Sequence, residues 1–245
     1  MSEFFEKPKI GKPIGAAVAA VVVLAVIAAA IVVAYRAGAD SDDEPGAAQS
    51  DSVGGAEGLP GADQVYDPLT VVDGAEYDSD LYIFHGYERS YVGAVSAAFN
   101  WLSALGSSLD PDYAEQLGDA VLVENANQNP DDWRDWPLKR REEIGLGSTG
   151  SVPDGWGLNA SPMAYQTRNA TPESIEVVFL VRLTATSPYG STSANTLQSM
   201  KLVWTGEDWA DSGDDLSADY TALKVDVGEE YSDEAKHLGW QQLIW

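Results

Sequence analysis

Residues Gly86–Gly106 read GYERSYVGAVSAAFNWLSALG, and the rhythm of their apolar positions decides the fold class. Val92, Val95, Phe99 and Leu102 recur at spacings of three and four, which is one apolar stripe of a helix. Small residues, Ser90, Ala94, Ala97 and Ala104, make a second stripe flanking Trp101. A surface helix needs only one apolar stripe, so a helix with two is expected to be gripped between layers. Whether it walls a reactive pocket or forms the spine of a domain depends on its surroundings.

C-terminal to it, Leu109-Asp110-Pro111-Asp112 supplies a cap and a first-turn proline for a second helix through Tyr113, Leu117, Val121 and Leu122. Asn129-Pro130-Asp131 starts a third, expected to run past Trp133, Trp136, Leu138 and Ile144 to Gly145. Beyond the glycine-rich 145–157 stretch the period changes to two. A weak strand is expected over Pro162–Asn169 and a strong one over Glu173–Thr186, where Ile175, Val177, Phe179, Val181 and Leu183 share a face. Val178 and Leu180 on its opposite face imply cover on both sides. Ser187-Pro188-Tyr189-Gly190 turns the chain into a strand over Leu197–Trp204, and Gly206-Glu207-Asp208 turns it again into Trp209. Tyr231–Trp245 reads as a short helix with an aromatic tail. Helices followed by an antiparallel meander make an α+β domain, with the first helix cradled by a curved sheet.

N-terminal to residue 76 the sequence changes character. Residues 36–75 are dominated by Gly, Ala, Ser, Asp and Pro and read as an acidic linker. Pro13–Tyr35 is 23 residues without a charge, long enough for a transmembrane helix. Ala37-Gly38-Ala39 offers a cleavage pattern, but the apolar run exceeds that of a usual signal peptide, so a retained anchor is expected. Lys7, Lys9 and Lys12 precede the span, while Arg36 and then Asp40, Asp42, Asp43 and Glu44 follow it. Residues 1–12 are accordingly expected to be a cytoplasmic tail, and 76–245 an extracytoplasmic α+β domain.

Fourteen basic residues against 39 acidic ones give a net charge of −25 over 245 residues. Such a surface repels phosphate backbones, and direct nucleic-acid binding is not expected. The absence of cysteine excludes thiol nucleophiles, zinc–thiolate sites and disulfides, and two histidines are too few for a histidine metal cluster. No metal or cofactor is implied. Asp40–Glu44 and Asp211–Asp215 lack the ligand spacing of an EF-hand and read by default as solvated loops, with weak cation binding by the second run as the alternative. Lys139-Arg140-Arg141 is followed by Glu142-Glu143, which on a helix would largely neutralise it.

Glu88 and Arg89, beside His85 and Tyr87, are expected in the first turn of the opening helix. In a pocket His85 would serve as a general base and Arg89 as an anion clamp, with Glu88 beside them; in a scaffold Arg89 would pair with a carboxylate and fix the helix entry. Trp133, Trp136 and Trp156 lie in or beside polar segments, where they either anchor an interface or seal a small core.

Gly86-Tyr87-Glu88-Arg89-Ser90, with Gly93-Ala94-Val95 and Ala97-Ala98, resembles a G-[YF]-x-R-[ST]-x-x-G-A-V-x-A-A stretch in membrane-anchored accessory proteins of actinobacterial conjugative elements. Leu202–Trp209, LVWTGEDW, is similar to their L-x-W-x-x-G-D-W hairpin, and Gly239-Trp240 to their ending. The order of anchor, linker and helices-then-sheet also resembles the small bitopic scaffold subunits of type IV secretion systems. That likeness implies a nuclear-transport-factor-like, cystatin-type cone fold and a non-catalytic scaffold outside the membrane, contacting other envelope subunits or a second copy of itself. Arg89, Gly93, Trp133, Trp136, Trp204 and Trp209 are then structural or interaction positions. A cone-fold enzyme, a small-ligand or lipid-binding domain, and an accessory of a lipid-uptake complex are the alternatives, since one fold hosts many functions.

Overall fold

The computed structural model describes residues 59–61, 67–124, 126, 128–214 and 220–245. The expected tail over 1–12, the expected span over 13–35 and most of the linker over 36–75 lie outside them. Among the described residues no helix is long and apolar enough to cross a membrane.

Along the chain, β1 (Leu69–Thr70) is followed by a hairpin of β2 (Glu76–Asp78) and β3 (Ile83–His85). Then come the helices α1 (Tyr91–Ser107), α2 (Pro111–Val121), α3 (Pro130–Trp133) and α4 (Asp135–Glu143). The long strands β4 (Gly157–Arg168), β5 (Ser174–Ser187) and β6 (Gly190–Trp204) and the short β7 (Trp209–Asp211) form a meander. A short helix α5 (Asp233–His237) and β8 (Gln241–Ile244) close the chain. The main sheet has the order β1-β8-β4-β5-β6-β7, antiparallel except for the β1–β8 pair, and curls strongly into a half-barrel. The domain is thus α+β, with helices against a curved antiparallel-rich sheet.

The long helix starts later than its sequence suggests. Ser90 is its N-cap, with Oγ accepting from the Gly93 amide at 3.0 Å, so Gly86–Arg89 lie ahead of it in non-helical backbone and Glu88 and Arg89 are not in its first turn. Both apolar stripes are used. Ala94, Val95, Ala97, Ala98 and Trp101 are buried against β4, β5 and β6 on one side and the β2–β3 hairpin on another, where the Trp101 indole donates to the Phe84 carbonyl at 3.0 Å. Val92 and Phe99 are only half-buried, Phe99 between the rings of Phe179 and Trp245. At the C-terminal end Gly106 lets helix and sheet meet closely, and Ser107 Oγ accepts from the Ala160 amide at 2.9 Å.

The expected third helix is two. Pro137 has no N–H to offer the Trp133 carbonyl, and the break falls there, between α3 and α4. The weak strand around Pro162 is longer than expected because a bulge between Pro162 and Ala164 absorbs the proline while β4 continues on either side. The aromatic tail holds β8, which pairs with β4 and, in parallel, with β1; the sheet therefore takes in Leu69–Thr70, residues that composition assigns to the linker.

β5 is buried on both faces. Ile175, Val177, Phe179 and Val181 face the α1 core, while Val178 and Leu180 pack under Tyr220, Leu223, Val225, Ala235 and Trp240 of the returning C-terminal segment. Trp240 fixes that cover by donating to the Leu223 carbonyl at 2.7 Å. Next to it Glu230, 3 % exposed, accepts from Arg182 at 2.6 Å and from Asn195 at 2.8 Å.

Candidate functional site

The two sequence motifs meet. Asp208, in the β6–β7 hairpin, accepts from the Gly86 amide at 2.6 Å and the Tyr87 amide at 2.9 Å. Its neighbour Trp209 donates its indole N–H to the Glu88 carbonyl at 3.0 Å, an oxygen that also takes the Ser90 amide at 2.7 Å. A Cβ on Gly93 would lie 2.2 Å from this same carbonyl, so a glycine there leaves room for the chain that enters the helix. Trp204 stacks edge-on against Trp209, with ring centroids 5.5 Å apart.

Arg89 lies on the rim of this clasp. It donates to the Pro172 carbonyl and to Glu173, with its guanidinium 5.9 Å from the Trp204 ring centroid. Glu88 contributes its backbone, while its side chain is exposed. His85 ends β3 opposite Glu76, its ring 6.4 Å from that of Trp101. The structure thus gathers His85, Glu88, Arg89, Gly93, Trp204 and Trp209 around one joint, where Arg89 is bound to the β4–β5 turn and not aimed with His85 at a common point. Burial beside Asp73 and Asp208 pushes the Tyr87 hydroxyl up, away from any role as an acid near neutral pH.

Trp133 and Trp136 stand elsewhere, by a cleft of about 260 Å³ where the C-terminal half of α1, α3 and α4 face the ends of β6 and β7. Trp133 is buried against Gly118, while Trp136 carries the Arg140 guanidinium over its ring at 4.1 Å. Met200, Lys201, Asp211 and Asp214 form the opposite wall, with Lys201 and Asp214 paired at 2.7 Å. Asp211 is 8 % exposed, and burial pushes its carboxyl up to about 6; Asp214 adds to this, while the Gly213 amide opposes it. The basic cluster nearby is only partly neutralised along its helix. Arg140 pairs with Glu143, but Arg141 is buried and clamps the carbonyls of Leu109 and Gly150 at 2.6 and 2.8 Å.

Local sequence patterns do not assemble the cleft, because its two walls, Leu102–Trp136 and Ser199–Asp214, are far apart in the chain. One signal was available. In Trp209-Ala210-Asp211 the period of a strand puts Asp211 on the same face as Trp209, a carboxylate turned toward an apolar interior. Among the described residues no group of three or more His, Asp or Glu is placed to hold a metal ion. The chain matches no protein-family model, curated protein or solved structure.

Proposed function

We propose that this chain is a bitopic membrane protein, anchored by residues 13–35, whose outer domain is a non-catalytic scaffold or accessory subunit of a conjugative, type IV secretion-like apparatus. Its α+β architecture is compatible with a nuclear-transport-factor-like cone. The observation that carries the scaffold reading is the filling between α1 and the sheet: Trp101, Tyr165 and Phe179, wholly buried, occupy the space that an interior-cavity enzyme or lipid carrier would keep open. The clasp supports the same reading, since Arg89, the residue offered as an anion clamp, is spent on the Pro172 carbonyl and Glu173. The resemblance of Gly86–Ser90 and Leu202–Trp209 to proteins of conjugative elements points to the apparatus.

Deleting the chain from a donor cell should abolish element transfer, and a plasmid copy carrying both His85→Ala and Arg89→Ala at normal protein level should restore it. Normal transfer without the chain sinks the apparatus; failure of the double variant despite a native fold sinks the non-catalytic role.

A second reading, small-ligand binding, is favoured by the cleft beside Trp133 and Trp136. Its volume falls below the ~300–1,000 Å³ of sites for drug-sized molecules, too little for an acyl chain but enough for a small group.

A further inference from the structure

We propose that the cleft between α3–α4 and the β6–β7 edge binds an alkylammonium group, with Asp211 as its counter-charge and Trp133, Trp136 and Met200 holding the apolar stem. Asp211 is more than nine-tenths buried at the cleft wall. One of its oxygens accepts from the Gly213 amide at 3.1 Å; the other takes no hydrogen bond from any described residue. The cation nearest in the wall, Lys201, is engaged with Asp214 at 2.7 Å. Asp211 has no ion-pair partner among the described residues, and a buried carboxylate without a cation is costly unless one is supplied or the group takes up a proton.

The rest of the lining fits a cation on a stem. Asp132, Asp211 and Asp214 face a single Lys201, so the cleft carries excess negative charge even after the internal pair is discounted. Leu102, Leu105 and Met200 supply contact for methylene groups. Trp is the most favourable ring for a cation, and Trp136 already carries one on its ring in Arg140. The volume matches a short chain ending in an ammonium, and the field of a −25 protein raises the local concentration of such a ligand. A lysine side chain of a partner protein and a free diamine share this chemistry. The inference stands apart from the transfer-apparatus reading, because it concerns a site and not a pathway.

The purified full-length protein in detergent is titrated calorimetrically with cadaverine and with Nα-acetyl-lysine N-methylamide; 1-pentanol is the uncharged control. Saturable one-to-one binding of at least one amine is expected, with little from pentanol. Tighter binding of the lysine derivative assigns the site to a protein side chain, and tighter binding of cadaverine to a free diamine. Asp211→Asn should weaken binding at least tenfold, whereas Glu207→Gln, which removes an equal charge at the exposed hairpin tip, should leave it unchanged. Lys201→Gln should tighten binding by removing the like charge, and it carries the test if the Asp211 variant does not fold. Affinity should also fall as the pH drops through about 6, where a proton competes for Asp211 in the company of Lys201, Asp214 and Asp132. No saturable binding at millimolar amine, equal binding of pentanol, equal loss in the Glu207 and Asp211 variants, or unchanged or weaker binding in the Lys201 variant would overturn the proposal.

Discussion

Asp208 holds Tyr87 by its backbone: the carboxylate accepts the Tyr87 amide at 2.9 Å and the preceding Gly86 amide at 2.6 Å, joining segments more than 120 residues apart. These amides precede the N-cap of α1, so the carboxylate fixes the path by which the chain enters its longest helix. The Trp209 indole on the Glu88 carbonyl closes the joint from the other side.

Asp208→Ala should therefore destabilise the domain by about 2–4 kcal/mol, since three charge-assisted hydrogen bonds, from the Gly86, Tyr87 and Trp209 amides, are lost and the amides are left in a half-buried place. Asp208→Asn, which keeps one acceptor oxygen, should cost less. Urea unfolding of both variants checks the order; equal stability of the Ala variant and the parent protein would mean that water replaces the carboxylate without loss.

Local patterns made much of this architecture legible. The two stripes of Tyr91–Ser107 imply a helix covered on both sides, and the mixed apolar faces of Ile175–Leu183 imply a strand covered on both sides; both are found. The errors have local causes too. Gly86–Arg89 look like the start of a helix because nothing in their own sequence reports that Asp208 takes their amides. The third helix looks continuous if Pro137 is not weighed against the Trp133 carbonyl. β8 looks like a tail because its partners, Ala164–Tyr165 and Leu69–Thr70, are far away in the chain. The cleft has the same cause: apart from the inward-facing Asp211, its chemistry exists only once β7 is beside α3.

Two glycines in α1 mark close approaches of different kinds. A Cβ on Gly93 would lie 2.2 Å from the Glu88 carbonyl oxygen, and one on Gly106 would lie 2.6 Å from the Ala160 Cβ. The close approach at Gly93 is therefore to the chain entering the helix, and the contact with the sheet is at Gly106. Although alanine favours helix, Gly93→Ala and Gly106→Ala should each destabilise by about 1–3 kcal/mol through overpacking. Gly147→Ala, whose Cβ would meet nothing closer than 3.6 Å, is the comparison expected to be nearly neutral. Thermal melts that rank Gly147→Ala with the other two would remove the steric argument.

On the far face of the sheet, Arg182→Met should cost about 2–3 kcal/mol near neutral pH, because Glu230 would stay buried without its cation. Burial alone would raise the Glu230 carboxyl, but Arg182, Asn195 and the backbone amides of Glu230 and Gly228 outweigh it and hold the group below its ordinary value of 4.5. A carboxyl lowered by folding contributes stability above its unfolded value, and this is lost as the pH falls through the folded one. The gap between parent and variant should accordingly narrow below pH 4.5. A gap that stays constant into acid would assign the loss to packing of the arginine stem.

Asp211 has the opposite sign. Its carboxyl is raised from 3.8 to about 6, chiefly by burial, so the folded state keeps a proton that the unfolded chain has released. Below 3.8 both states hold the proton and the group costs nothing; stability then declines as the pH rises from 3.8 to about 6, and above that the cost is constant. With ~1.4 kcal/mol per unit, the full cost is about 3 kcal/mol. Asp211→Asn keeps the shape and removes the charge, so it should stabilise the protein above pH 6 by up to that amount, with the benefit fading to nothing toward pH 3.8. A saturating amine should have the same effect on the parent protein and none on the variant. Chemical unfolding across this pH range, with and without cadaverine, measures both. If the Asn variant is less stable than the parent at pH 7, the ionised carboxylate already has a favourable partner inside the fold, and the cleft has no need of a cation.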